Sequence, residues 1–82
     1  MRRGLTSAQF RIALGAVVRG ERTRLGWSQE KLAEKADLAR AYITELESGH
    51  RTPNLETLLR LAAALGMKPS KLMAASEAEL AE

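Results

Sequence analysis

Residues 28–49 read SQEKLAEKADLARAYITELESG and predict two short helices joined by a tight turn. Ser28 suits the N-cap of the first helix, because its hydroxyl can accept a hydrogen bond from a free backbone N–H. Glu30 places negative charge in the first turn, where it interacts favourably with the helix dipole. Gly49 ends the second helix, since glycine readily adopts the left-handed backbone that follows many helices. The two helices are expected over residues 29–35 and 40–48.

Each helix of this pair has two different sides. The inner side of the first helix is apolar and consists of Leu32, Ala33 and Ala36. The packing side of the second helix contains Ile43, Leu46 and Glu47. The opposite side of the second helix carries Arg40, Ala41, Thr44 and Glu45. One side of the second helix is therefore expected to pack, and the other is free to contact a ligand.

Three further helices are expected around this pair. Thr6 or Ser7 can cap a first helix that runs to about residue 25, and Asn54 can cap a fourth helix that Gly66 closes. A last short helix begins near Pro69. The fourth helix is expected to bury six apolar residues, namely Leu55, Leu58, Leu59, Leu61, Ala62 and Leu65. Five helices without a strand pattern predict an all-α fold.

The composition is that of one small domain, and it excludes several kinds of chemistry. The 82 residues contain no cysteine and one histidine, which excludes disulfides, thiolate metal sites and cysteine nucleophiles. Because the chain also lacks a glycine-rich phosphate loop and a spaced pair of acids on one predicted face, we expect neither an enzyme nor a cofactor or metal. No apolar run approaches the roughly 20 residues that span a membrane. The chain is expected to be soluble and cytoplasmic.

The formal net charge of +3 is distributed unevenly along the chain. Residues 1–24 contain one acid, Glu21, against Arg2, Arg3, Arg11, Arg19, Arg22 and Arg24. The charged residues of the segment 76–82 are all acidic, namely Glu77, Glu79 and Glu82. We expect a domain over residues 1–75 whose basic end suits phosphate, followed by a short acidic tail over residues 76–82. The tail suits a dimer contact or solubility.

The helix pair and four flanking segments resemble the Cro/phage-repressor-like (XRE-type) helix-turn-helix family. The segments are Leu14–Arg19, Gly26–Gln29, Pro53–Ala62 and Leu65-Gly66. Small stand-alone members such as restriction–modification controller proteins look closest, because the run LARAYI at residues 38–43 is similar to theirs. The resemblance implies a five-helix, lambda-repressor-like DNA-binding domain that places the second helix of the pair in the major groove.

Three residues depart from the family pattern. Asp37 stands where the family usually has glycine in a left-handed conformation, which Asp tolerates better than most residues. Ala39 stands where relatives often have Ser or Thr, so a capping hydrogen bond typically worth about 1 kcal/mol is lost. Glu21 occupies a slot that is commonly apolar in the family, and the sequence offers no physical reason for it.

The resemblance assigns base reading to the outer side of the second helix, at Arg40, Ala41, Thr44 and Glu45. Arg40 is the leading specificity residue, because an arginine can bond guanine O6 and N7 together. Ala41 suits a thymine methyl, and Thr44 suits a base edge. Glu45 either accepts from cytosine N4 or is a solvated charge that pairs near Arg40 or Ser48.

Seven residues are expected to contact phosphates: the resemblance implies Ser28, Gln29, Ser48, His50, Arg51 and Asn54, and the hydroxyl of Tyr42 adds a further candidate. Ser28 and Gln29 lie at a helix N-terminus, where backbone N–H groups and the helix dipole favour an anion. Tyr42 either reaches a phosphate or packs beside the preceding helix. Arg51 alternatively enters the minor groove.

Two further sets have expected structural roles. Arg22 and Glu47 match a family pair that forms a salt bridge between the first and third helices. A homodimer is expected, because one helix that reads three or four base pairs cannot select one site in a genome. The expected dimer surface consists of Leu65, Met67, Leu72 and Met73, although part of this set can instead cap the monomer core.

These expectations describe a homodimeric, sequence-specific transcription regulator that binds a pseudo-palindromic operator in double-stranded DNA. Repression is the simpler outcome, whereas activation needs a surface for RNA polymerase, such as one formed by Glu30, Glu34 or Glu45. The alternative is an antitoxin that neutralises a protein toxin and regulates its own operon, with the acidic segment from Ser76 as the toxin-binding feature.

Overall fold

The computed structural model describes residues 6–80 and contains five α-helices. They are α1 (Ser7–Arg24), α2 (Gln29–Ala36), α3 (Arg40–Glu47), α4 (Leu55–Ala64) and α5 (Pro69–Leu80). No strand occurs between residues 6 and 80, so the all-α prediction is confirmed. Arg2, Arg3 and Glu82, which contribute to the expected basic end and acidic tail, lie outside the described residues. None of the helices in this part of the chain is long and apolar enough to cross a membrane.

Side-chain caps fix the starts of three helices. The Thr6 hydroxyl accepts from the Gln9 N–H at 3.1 Å, and the Gln9 Oε1 accepts from the Thr6 N–H at 3.0 Å, which completes a capping box. Ser28 Oγ accepts a hydrogen bond from the Lys31 N–H at 3.0 Å. Asn54 Oδ1 accepts a hydrogen bond from the Thr57 N–H at 2.8 Å. These bonds place the starts of α1, α2 and α4 where the sequence predicts them.

The core lies between the five helices, where α1 packs against α3 and α5, α2 packs against α3 and α4, and α4 packs against α5. Its fully buried side chains come from every helix and include Leu14, Val18, Leu32, Ile43, Leu46, Leu61 and Leu72. Partly buried Phe10, Val17, Trp27, Leu38, Tyr42 and Leu58 pack around them. Burying a side chain of this size typically stabilises by about 1.5–3 kcal/mol, so aliphatic packing accounts for most of the favourable free energy.

The fourth helix buries fewer leucines than the sequence analysis expects. Leu61 and Ala62 are fully buried, but Leu55 is 70% exposed and Leu59 is 45% exposed. α4 packs against α2 and α5 on one side only. Leu55 and Leu59 are four residues apart and share the opposite side, so the expectation that they are buried is wrong.

The last helix is longer than expected and includes most of the predicted tail. α5 packs along α1 and continues to Leu80, so residues 76–80 are helical rather than a separate tail. Ser76 is fully buried, and its hydroxyl donates to the Leu72 carbonyl at 2.9 Å. The alternation of alanine and glutamate favours the extension, since both residues have high helix propensity.

The same packing corrects the expected dimer surface. Leu65 is 4% exposed and Leu72 is 0% exposed within a single chain, so neither can form a contact with a second copy. Met67 is half-buried against the core. Only Met73, at 41% exposed, remains an outward-facing apolar side chain of this set. Leu65 and Leu72 therefore close the monomer core, which was the alternative role for this group.

α1 and α3 cross at a point that only glycine allows. A Cβ atom added at Gly15 would lie 2.5 Å from the Leu46 carbonyl oxygen and 2.8 Å from the Glu47 carbonyl oxygen. Both neighbours are backbone atoms, which cannot rotate away as a side chain can. Gly15 thus sets the distance between α1 and the helix with the candidate reading face.

We expect Gly15→Ala to lower the free energy of unfolding by about 1–3 kcal/mol, because the methyl group forces α1 and α3 apart. Gly20 provides a matched control in the same helix, since a Cβ there meets nothing within 4 Å. Gly20→Ala should stabilise by about 0.5–1 kcal/mol through helix propensity alone. Urea unfolding at equal protein concentration measures both changes. Similar shifts for the two variants would contradict a tight crossing at Gly15.

Candidate nucleic-acid interface

The turn between α2 and α3 is built on a left-handed residue. Asp37 has φ 58° and ψ 49°, the conformation expected for it. The Leu38 N–H donates to the Ala33 carbonyl at 2.9 Å, and the Asp37 N–H donates to the Glu34 carbonyl at 3.3 Å. This pair of bonds is a Schellman motif, which ends α2 and redirects the chain into α3.

The recognition-type helix α3 begins without a side-chain cap. Ala39 is the N-cap residue and makes no side-chain hydrogen bond. The Asp37 carboxylate lies near Arg60 instead, with 4.0 Å between Oδ2 and Nη1, so it does not replace the missing cap. α3 has only eight residues, and such a short helix is not stable alone. Its position therefore depends on contacts with the rest of the domain.

α3 separates packing residues from outward-facing residues as the sequence predicts. Ile43 and Leu46 are fully buried. The four predicted base-reading residues are all exposed on the opposite side; they are Arg40, Ala41, Thr44 and Glu45. The structure therefore brings the members of this set together on one surface.

A buried ion pair joins α1 to the packing side of α3. Arg22 Nε lies 2.6 Å from Glu47 Oε2, and Arg22 Nη2 lies 3.0 Å from Glu47 Oε1. The third nitrogen, Nη1, donates to the Trp27 carbonyl at 2.7 Å. The side chains are 11% and 3% exposed for Arg22 and Glu47 respectively. The hydrogen bonds to Glu47 raise the pKa of the Arg22 guanidinium above its usual value, against the opposing effect of burial.

Gln29 extends this ion pair to the outward-facing side of α3. Its Nε2 donates to Glu47 Oε1 at 3.1 Å, and its Oε1 accepts from the Thr44 hydroxyl at 2.9 Å. Both ends of the amide are therefore bonded to α3. The predicted role of Gln29 is a phosphate contact, and the structure gives its side chain this linking role within the chain. The signal in the sequence is the i, i+3 spacing of Thr44 and Glu47, which places both within reach of one amide.

Hydrogen bonds also hold the segment that follows α3. The His50 N–H donates to the Glu45 carbonyl at 2.9 Å. The Ser48 hydroxyl lies 2.9 Å from His50 Nδ1 and 3.0 Å from the Glu45 carbonyl. Arg11 Nε donates to the Gly49 carbonyl at 3.2 Å, a contact that sequence analysis missed because the residues are 38 positions apart. The bond from Arg11 therefore connects α1 to the segment that follows α3.

Arg51 lies over the exposed side of α3. Its Nε donates to Glu45 Oε1 at 2.7 Å, and its guanidinium carbon is 4.9 Å from the centre of the Tyr42 ring. Glu45 therefore pairs with Arg51 rather than with a group near Arg40 or Ser48. The Tyr42 ring is half-buried: one face packs against the core, and the guanidinium of Arg51 lies over the other.

Most of the predicted phosphate-binding set is exposed. Its exposed members are Ser28, Ser48, His50, Arg51 and Asn54, whereas Gln29 and Tyr42 are half-buried. Ser28 and Asn54 also cap α2 and α4, so their side chains are held at helix N-termini. Helix N-termini present free N–H groups and favour anions.

The α2–turn–α3 unit, with four exposed side chains on α3, defines a helix-turn-helix protein. The family model described as helix-turn-helix matches residues 18–72, which is more than half of the chain. The chain belongs to the helix-turn-helix family of the XRE type, and it is a DNA-binding regulator.

Several relatives agree with this assignment. The control protein C.BamHI of Bacillus amyloliquefaciens is 39% identical over 65 residues, which cover 78% of this chain and 80% of the relative. The restriction–modification controller protein C.AhdI of Aeromonas hydrophila is similar in structure, with a TM-score of 0.73 and 39% identity over 76% of this chain and 94% of that one. The clp gene regulator ClgR of Corynebacterium glutamicum has a TM-score of 0.83 and 30% identity, over 88% and 77% of the two chains. The predicted family and fold are confirmed.

Glu47→Ala should lower the free energy of unfolding by about 3–5 kcal/mol, because it leaves the Arg22 guanidinium buried without a carboxylate. Glu21 provides the control, since it pairs with Arg24 at 2.9 Å in a partly exposed position on α1. Glu21→Ala should cost no more than about 1 kcal/mol. Urea unfolding of both variants gives the comparison, and equal losses would show that burial does not distinguish the two pairs.

Proposed function

We propose that this DNA-binding regulator acts as a homodimer on a two-fold symmetric operator near a promoter. It occupies DNA without catalysing a reaction and without a cofactor, and its place of action is the cytoplasm. The observation that carries the proposal is the exposed side of α3, which presents four side chains on a helix that the Arg22–Glu47–Gln29 network holds in place. The relatives described as controller proteins support a role in restriction–modification control.

Arg40 is the residue that we propose as the main source of sequence preference. It is exposed in the first turn of α3. No ion pair within residues 6–80 involves its guanidinium. A free guanidinium at this end of the helix can bond O6 and N7 of one guanine together. Ala41, Thr44 and Glu45 would contact the neighbouring base pairs from the same side of α3.

Two copies are needed for useful specificity. One helix contacts three or four base pairs, a sequence that recurs many times in any genome. In a symmetric dimer the two copies of α3 would lie about 34–36 Å apart, one turn of the double helix. Binding would then require two half-sites at the correct spacing.

We propose that α4 forms the contact with the second copy. Leu55, Leu59 and Ala63 are spaced four residues apart, and all are exposed on the side of α4 that faces away from the core. Two leucines on adjacent turns form a larger apolar surface than Met73 provides alone on α5. Asn54, a predicted phosphate contact, caps the start of α4, so the proposed dimer contact and a proposed DNA contact lie on the same element.

The regulator is better supported than the antitoxin alternative. The antitoxin hypothesis depends on a separate acidic segment from Ser76, whereas residues 76–80 continue α5 and Ser76 is buried in the monomer. Activation through RNA polymerase has its proposed surface at Glu30 and Glu34, which are exposed on α2. Repression by occupancy needs no such surface and is the outcome that we propose.

Selection of bound duplexes from a random DNA pool tests the proposed function. We expect a two-fold symmetric motif with half-sites one helical turn apart. Arg40→Ala should weaken binding to that motif by about 1–3 kcal/mol per half-site and leave binding to unrelated duplexes nearly unchanged. Arg24→Ala is the control, because it also removes an exposed arginine, one that pairs with Glu21 on α1.

Two results of this selection would count against the proposal. An equal loss on all duplexes would make Arg40 a phosphate contact. No enriched motif, with steeply salt-dependent binding only, would favour a protein-binding role such as that of an antitoxin.

Leu59→Lys should convert the dimer to a monomer, because it places a charge within the proposed apolar contact. Met73→Lys is the matched control, since Met73 is exposed to a similar extent on α5. Sedimentation equilibrium measures the association of both variants, and neither change disturbs a buried position. Dissociation by Met73→Lys alone would move the contact to α5.

A further inference from the structure

The reading side of α3 carries an ion pair whose two members are both expected to contact DNA. Glu45 Oε1 lies 2.7 Å from Arg51 Nε, and the two side chains are 51% and 50% exposed. Glu45 belongs to the predicted base-reading set, and Arg51 belongs to the predicted phosphate-binding set. In the free protein the carboxylate of Glu45 and the guanidinium of Arg51 are therefore bonded to each other, although both are expected to bond DNA.

A carboxylate on this surface opposes DNA binding unless something neutralises it. Phosphates repel Glu45, and among base edges in the major groove the amino group at cytosine N4 is a donor that a carboxylate can accept from. Arg51 cancels this repulsion in the free protein. While Nε donates to Glu45 Oε1, Arg51 cannot give a phosphate the bidentate bond that uses Nε together with a terminal nitrogen.

Only the Arg51 side chain needs to move to change partners. The backbone before it is held by the bonds from Arg11 to Gly49 and from His50 to Glu45. The backbone after it enters α4 at the Asn54 cap. The Tyr42 ring lies beneath the guanidinium and gives it an apolar surface on which to turn. The geometry therefore allows a side-chain exchange without rearrangement of the fold.

We propose that Glu45 controls Arg51, so that Arg51 makes a bidentate bond to a phosphate through Nε only where Glu45 finds a base-edge donor. This inference rests on the proposed operator binding. On a correct half-site a base amino group replaces Arg51 at Glu45, and the released guanidinium bonds the adjacent phosphate. On other sequences Arg51 stays on Glu45, and the bidentate phosphate contact is not made. Glu45 is thus a specificity-determining residue, and it acts partly as a positioning residue for Arg51.

The salt dependence of binding measures this exchange, because each phosphate contact changes the slope of log K against log salt by about −0.9. For the wild-type dimer we expect a steeper slope on the selected motif than on unrelated duplexes, by about one phosphate per chain. Arg51→Ala should remove that difference by lowering the slope on the motif only. If Arg51→Ala lowers both slopes equally, Arg51 is an ordinary phosphate contact and the proposal fails.

Glu45→Gln tests the other half of the pair, since it keeps the size of the side chain and removes its charge. We expect affinity for unrelated duplexes to rise by roughly two- to fivefold per chain, as expected for loss of an exposed ion pair. The slope on unrelated duplexes should also steepen by about one phosphate per chain. Adding Arg51→Ala to Glu45→Gln should reverse both changes.

Glu21→Gln is the control for net charge, because Glu21 pairs with Arg24 on α1 and lies beside Ala75 and Glu79 of α5. It should change neither slope at physiological salt, where a distant charge is screened. Equal effects of Glu45→Gln and Glu21→Gln would overturn the inference while leaving operator binding intact. Absence of a selected motif for the wild-type protein would instead overturn the proposed function.

Discussion

The orientation of the reading helix depends on the buried Arg22–Glu47 ion pair. Both carboxylate oxygens of Glu47 are bonded, one to Arg22 Nε and the other to Arg22 Nη2 and Gln29 Nε2. The remaining guanidinium nitrogen holds the Trp27 carbonyl, just before α2 begins. Burial of two charges costs desolvation energy that the attraction only partly offsets, so the pair adds little net stability. Its contribution is geometric, because one cluster fixes α1, α2 and α3 relative to one another.

That geometric role explains how an eight-residue helix without a side-chain cap keeps a fixed position. α3 loses the stabilisation of a cap at Ala39. The compensating contacts are tertiary: the close backbone crossing at Gly15, the buried side chains of Ile43 and Leu46, and the bond from Thr44 to Gln29. Because these contacts lie on the packing side and at Thr44, the exposed Arg40, Ala41 and Glu45 are not needed to hold α3 in place.

The sequence predicts local features of this fold better than distant contacts. The helix starts at Ser28 and Asn54 follow from residue type and position, because caps are decided within a few residues. The left-handed Asp37 and the uncapped Ala39 follow from the resemblance to the family, which has glycine and Ser or Thr at these positions. The side of α4 that packs does not follow in this way. α4 has a wide apolar side, with Glu56, Thr57 and Arg60 on the remainder, so helical spacing alone does not distinguish the buried Leu61 from the exposed Leu59 at its margin. The partner of Glu45 was missed for a related reason, since Arg51 reaches it across a loop.

The Glu45–Arg51 ion pair on the exposed side of α3 is consistent with the need of a regulator to distinguish its operator from other DNA sequences. A regulator is useful only if its affinity for one site exceeds its affinity for the many competing sites, and each unconditional phosphate contact raises both equally. The net charge of +3 is small for a DNA-binding chain, and Glu45 neutralises one of the arginines nearest to α3. Weak general attraction leaves more of the total binding free energy to contacts that depend on sequence. The proposed exchange of partners on DNA would convert the charge of Arg51 from one that binds any duplex into one that favours a particular sequence.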